Sequence, residues 1–167
     1  MKIEAVKATI DGMKQAGINP VVWLPSQGFA SLIDAITRDS YFTHIPVSHE
    51  GNGIGLCAGA WLGGKKPALV IQNSGFILMT YALMGLLRLG GFPTLMLIDQ
   101  RGIIGDKKGH WLFGWGRTTP QILDMLEIPY SVVQGDFNAS VVRCQETTEA
   151  YGKPVAMLFS GEDVYGN

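Results

Sequence analysis

Charge is scarce in this sequence. Only 16% of its 167 residues are Asp, Glu, Lys or Arg, against 47% apolar, where roughly a quarter charged is usual. So little charge means less polar surface than a globule of this size usually carries. It predicts that part of the outside is covered by other subunits; a monomer with an unusually large core is the other reading. The 13 basic and 14 acidic residues balance, and no basic run or aromatic-basic interleaving is present, which argues against nucleic acid as a partner. Cysteine is nearly absent. Cys57 and Cys144 are the only two, and their wide separation gives neither a zinc-ligand pattern nor a disulfide framework. Both are expected as reduced, buried thiols in a cytoplasmic protein. Long apolar runs are missing as well. The longest, FILMTYALMGLL at 76–87, has 12 residues, too few to span a bilayer. The opening MKIEAVKATI is charged and amphipathic, unlike a secretory signal. No membrane partner is expected.

Glycine, by contrast, is plentiful. In HEGNGIGLCAGAWLGG (49–64) it stands at 51, 55, 59 and 63, with another at 53. Each interior helical glycine costs roughly 0.5–1 kcal/mol relative to alanine, so a helix built this way implies a specific gain. Spacing of four lays Gly51, Gly55, Gly59 and Gly63 along one bare face, open to close approach by another helix or a flat ligand. Ile54, Leu56, Cys57 and Trp61 are expected to face the core. GIGLCA (53–58) also matches a dinucleotide fingerprint, a weak signal when alone. Ser48, His49 and Glu50 lengthen the turn before it, and the next strand ends in Gln72-Asn73 where an acidic residue should stand. Glu50, in the first helical turn, suits the helix dipole without further purpose.

The rest of the chain alternates. Ile3, Val6, Ile10 and Met13 recur at helical spacing up to Gly17. Strands are predicted at 21–24, 41–47, 67–73, 93–99, 130–133 and 154–160. Helices are predicted at 28–38, at 49–62 with Ser48 as cap, at 74–89, from Thr119 as cap with Pro120 at the first position, and from Asp136 to about 150. The pattern is α/β: a mainly parallel six-stranded sheet with helices on both faces, one domain over 1–167. Ligands in such sheets lie beyond the carboxyl ends of strands, here Pro25-Ser26, Ser48-His49-Glu50, Asn73-Ser74-Gly75 and Asp99-Gln100-Arg101. A loop of about 18 residues, QRGIIGDKKGHWLFGWGR (100–117), follows the fourth strand, and loops of that length are usually functional.

The segment IPVSHEGNGIGLCAGAWLGGKKPALVIQNSG (45–75), with AGINPVVWLPS (16–26), RGIIGDK (101–107) and RTTPQILDMLEIPY (117–130), resembles the pyrimidine-binding domain of thiamine-diphosphate-dependent decarboxylases, in particular the sulfopyruvate and phosphonopyruvate decarboxylase group. The resemblance implies the thiamine-diphosphate-binding fold. It implies that Glu50 bonds to the cofactor's aminopyrimidine and promotes the tautomer that removes the thiazolium C2 proton, after which a 2-oxo acid loses carbon dioxide. Pro25, Ser26, Asn73, Ser74 and Gly75 match positions that would line the cofactor. The group's Gly-Asp-Gly motif for Mg²⁺ and diphosphate is not found. GDFNAS (135–140) has Phe137 in third place, and Asp136 reads as a helix cap. No metal ligand is therefore expected in this chain. Mg²⁺ and the diphosphate are expected on a separate β subunit, giving a homo- and hetero-oligomer active only when assembled.

Arg101, Lys107 and His110, with Lys108 and Arg117, make the long loop basic, which would suit a 2-oxo acid with two negative charges; solvated surface charge is the plainer reading of each. The sequence departs from the group after QNSG, where Phe76-Ile77-Leu78 follows, and at Asp99-Gln100. Trp111, Phe113 and Trp115 in the segment 110–116 read as packing anchors, a lid, a subunit contact or a pocket for a less polar acid. A non-catalytic subunit that kept the fold is the rival from another class.

Overall fold

The structure is a computed structural model and describes residues 1–165; the last two residues of the expected domain lie outside the described residues. Six strands form one fully parallel sheet in the order β2-β1-β3-β4-β6-β5. The strands are β1 (Val21–Trp23), β2 (His44–Pro46), β3 (Ala68–Gln72), β4 (Leu95–Asp99), β5 (Tyr130–Val132) and β6 (Val155–Phe159). Central β3, β4 and β6 are almost wholly buried, as continuous apolar runs in a parallel sheet should be. Their side chains alternate between two cores. Leu95, Leu97, Met157 and Phe159 pack with α1 (Ile3–Gln15), α2 (Ala30–Arg38) and α7 (Phe137–Tyr151) on one face. Met96, Ile98, Ala156 and Leu158 pack on the other with α3 (Glu50–Leu62), α4 (Asn73–Leu78) and α6 (Phe113–Met125). The expected fold class is the one observed.

Several boundaries differ from expectation. β2 is only His44–Pro46, because its neighbour β1 offers three residues to pair with. The glycine helix is capped by His49, whose Nδ1 accepts the Gly51 N–H at 3.0 Å, and not by the exposed Ser48. The helix expected at 74–89 is broken into α4, the turn α5 (Thr80–Ala82) and a π-helix at Leu83–Leu89. At the break the Thr80 hydroxyl lies within reach of the Phe76 and Ile77 carbonyls, a back-bond that bends helices.

The largest correction concerns the long loop. It ends at a 3₁₀ turn, His110–Leu112, and α6 starts at Phe113, so that Thr119 and Pro120 lie inside a helix. Pro120 has no N–H for the Gly116 carbonyl one turn back. The buried Gln100 supplies the missing donor, its Nε2 reaching Gly116 O at 3.1 Å. Thr119 bonds back to Trp115 O instead of capping. Gly102 (φ +78°) makes the fit possible: a side chain there would run into the Leu112 carbonyl, and one at Gly116 would meet the Gly102 backbone. Asp136 caps α7 as expected, accepting from Ala139 N–H at 3.0 Å.

Candidate functional site

Along the carboxyl edge of the sheet, α3 begins after β2 and α4 begins directly after β3. These two starts bring Glu50 and Gly75 together. A Cβ on Gly75 would lie 2.5 Å from the Glu50 carboxyl carbon and 2.7 Å from its Cγ. Only glycine leaves room for the glutamate side chain to lie across this backbone. Glu50 is half-buried, so it is neither a solvated helix-end charge nor sealed in the core.

Asn73, two residues before Gly75, is fully buried. Its Nδ2 donates to Arg101 O at 2.8 Å, and its Oδ1 has no partner within the protein. A buried acceptor left open is costly unless something donates to it. Ser74 sits inside the first turn of α4, accepting from Gln72 Nε2 rather than capping. Pro25 is exposed at the end of β1. The buried Ser26 points elsewhere: its hydroxyl donates to the Asp99 carboxyl.

Asp99 ends β4 inside the fold, and its place in this network was not foreseen from sequence. Gly28 N–H donates to its Oδ2 at 3.0 Å, and the Tyr165 hydroxyl bonds to Oδ1 and also reaches Phe159 O at 3.0 Å. Burial raises the Asp99 carboxyl above its ordinary range, against the pull of its hydrogen bonds. One hydroxyl proton on Tyr165 cannot serve both acceptors.

Arg101 is also unlike its expectation. Far from being a solvated charge, it is buried, paired in two 2.9 Å bonds with Asp106 and placed 5.3 Å over the Tyr165 ring. The Arg101 guanidinium holds the Asp106 carboxyl down at about 2, and Asp106 further accepts from Gly102 and Lys108 N–H, organising the whole turn. Lys107 lines a cleft of about 450 Å³ beyond β1, β4 and β6, with Gln27, Ile103, Ile104, Lys108 and Tyr165 among its walls. His110 and Arg117 are exposed and outside that cleft. Trp111, Phe113 and Trp115 are 66%, 53% and 45% exposed, so they do not anchor packing within the chain.

The expected glycine face is bare only in its middle: a Cβ at Gly51 would meet the His49 ring at 3.1 Å and one at Gly63 the Ala60 carbonyl at 3.3 Å. Gly53 is turned to the core, where a Cβ would press on Leu69 Cδ1 at 2.8 Å; this packing accounts for the glycine in the fingerprint-like run. Gly55 and Gly59 look outward on open space. Ile54 and Cys57 face the core as expected, whereas Leu56 is exposed. Burial drives the Cys57 thiol up to about 12. Beside this bare face the π segment exposes Leu89, and α4 and α5 expose Leu78 and Tyr81 (94%).

No protein-family model matches the chain. Curated proteins do. Sulfopyruvate decarboxylase subunit alpha of Methanothermobacter thermautotrophicus is 32% identical over 160 residues, covering 95% of this chain and 96% of that protein. Its counterpart in Methanococcus maripaludis is 33% identical, covering 77% and 76%. Phosphonopyruvate decarboxylase of Streptomyces viridochromogenes is 30% identical over 74% of this chain, a stretch that spans 31% of that longer protein. Two solved structures share the fold over 96% of this chain and less than a third of their own length. They are benzoylformate decarboxylase from Polynucleobacter necessarius (TM-score 0.74, 14% identity) and 2-oxoglutarate:ferredoxin oxidoreductase from Magnetococcus marinus (TM-score 0.72, 20% identity).

Proposed function

Because this chain belongs to the family of sulfopyruvate decarboxylase α subunits, we propose that it is the pyrimidine-binding chain of a two-chain 2-oxo acid decarboxylase, a carboxy-lyase of the cytoplasm. The observation that carries this reading is the Glu50–Gly75 contact at the carboxyl edge of the sheet. It supports the expected place of thiamine diphosphate: a half-buried carboxylate laid over a glycine backbone, beside a buried Asn73 oxygen with no protein partner. When bound, the cofactor supplies an electron sink for the pair released as carbon dioxide leaves.

This chain's own residues have narrower tasks. Glu50 would hydrogen-bond to the pyrimidine's ring nitrogen and pass a proton to it, holding the ring's orientation. Gly75 keeps the carboxylate in place by offering no side chain. Asn73 Oδ1 accepts from the ligand, while its Nδ2 fixes the start of the long loop through Arg101 O. Pro25 is exposed just beyond β1, and Ser74 directly precedes Gly75. Ser26 acts through Asp99 instead, stiffening the turn after β1.

The diphosphate and Mg²⁺ fall to a β subunit, since Asp136 is committed to capping α7. The α-subunit naming of the relatives supports such a partner. The uncovered face of Gly55, Gly59, Tyr81 and Leu89 is where another subunit would pack.

The test is carbon dioxide release by the chain copurified with its β partner, with thiamine diphosphate, Mg²⁺ and a panel of 2-oxo acids including sulfopyruvate and phosphonopyruvate. Release should require both chains, and Glu50→Gln should abolish it with the assembly intact by size-exclusion chromatography. Turnover surviving in that variant would remove Glu50 from the mechanism.

A further inference from the structure

The basic loop places its charges unequally. Arg101 is neutralised by Asp106 and stacked over the Tyr165 ring. Asp106 has no capacity to spare, since both oxygens already accept hydrogen bonds. Asp99, the next carboxyl, is saturated by Ser26, Gly28 and Tyr165, and burial disfavours its charge. Lys107 and Lys108 line the same cleft, and among the described residues neither has an ion-pair partner. Two like charges side by side repel, and a concave wall of one sign concentrates the opposite sign. Ile103 and Ile104 add an apolar wall to the same cleft. The combination fits a short aliphatic chain ending in a strong anion.

One hydrogen bond links the cleft wall to the segment that carries Gly75. Asn73, two residues from the glycine on which Glu50 rests, bonds to the backbone of Arg101, which is itself part of the cleft wall. We propose that Lys107 and Lys108 are the subsite for the second negative group of the 2-oxo acid, a sulfonate or phosphonate, and that they set the preference for dianionic over monoanionic acids. Arg101 and His110 do not take that role: the first is internally paired and the second lies outside the cleft. This rests on the decarboxylase reading for its substrate, though not for its binding chemistry.

Binding and turnover separate the two. The assembled complex is titrated calorimetrically with 3-sulfopropanoate, which lacks the reactive carbonyl, and with propanoate. The wild type should bind the sulfonate and not propanoate, more weakly as salt is raised. Lys107→Ala and Lys108→Ala should each weaken it about tenfold, one lost charge-assisted contact apiece. In the decarboxylation assay the kcat/KM ratio of sulfopyruvate to pyruvate should fall in both variants, through KM for sulfopyruvate. Equal sulfonate binding in wild type and variants, or an unchanged ratio, would overturn the proposal. Binding that obeys it without any decarboxylation by the wild type would overturn the reaction and keep the subsite.

Discussion

At the scale of single residues, Glu50 and Gly75 behave as one unit. Gly75→Ala puts a methyl group where the carboxylate lies, while the flanking helix backbone tolerates alanine well. Displacing a reacting group by about an ångström costs on the order of 100-fold. We expect kcat to fall by about that factor with thermal stability nearly unchanged, as a melting curve beside a turnover assay will tell. Asp99 makes a different prediction. Its folded carboxyl titrates above the unfolded value, so the folded state binds the proton more tightly. Its contribution is therefore favourable below the unfolded value of about 3.9 and is lost as pH rises through the folded one. Asp99→Asn keeps a donor for Tyr165 and an acceptor for Ser26 without a charge to bury. Urea titrations across pH should show the variant overtaking the wild type as pH increases; parallel curves would mean that Asp99 is ionised in the fold. The place of Glu50 at a helix start was legible in sequence, its proposed role only through the resemblance of residues 45–75. The network around Asp99 was not, since Ser26 and Tyr165 stand 73 and 66 residues away.

Among the elements, α6 shows how a local signal is overruled. Threonine followed by proline marks a helix start, and that reading fails because Gln100, sixteen residues before Gly116, fills the hydrogen bond that Pro120 leaves open. Gln100→Ala should destabilise the fold by about 1–3 kcal/mol, the cost of an unpaired buried carbonyl. In a Pro120→Ala background the restored N–H serves Gly116 and most of that cost should vanish. A double-mutant cycle by chemical denaturation measures the coupling, and additive losses would refute the compensation. The helix expected at 74–89 fails for a related reason: Thr80 looks harmless in an apolar run, yet its hydroxyl competes for the ladder. The apolar strands 68–72, 95–99 and 155–159 were plain to read, because buried parallel strands need uninterrupted apolar sequence.

For the whole molecule, strand alternation with helices conveyed the layers and the parallel sense. Strand order did not follow from sequence, because β6 inserts between β4 and β5 through contacts made only in three dimensions. The scarcity of charge found its counterpart in the exposed apolar layer around α3 and the π segment. Since nothing lies within 4 Å of a Cβ at Gly55 or Gly59, leucine at either position should leave the isolated chain folded and prevent assembly with its partner. Circular dichroism with analytical ultracentrifugation would register both effects; normal assembly of Gly55→Leu and Gly59→Leu would move the interface elsewhere.

The same bareness bears on how variants of this chain would be selected. Alanine at 55 and 59 relieves the helix of about 0.5–1 kcal/mol per position and collides with nothing in the lone chain. A screen that rewards heat resistance of the single polypeptide would therefore enrich these substitutions, and would be blind to what the gap is kept for. On the proposed interface, selection on turnover by the assembled pair would be what keeps the surface empty.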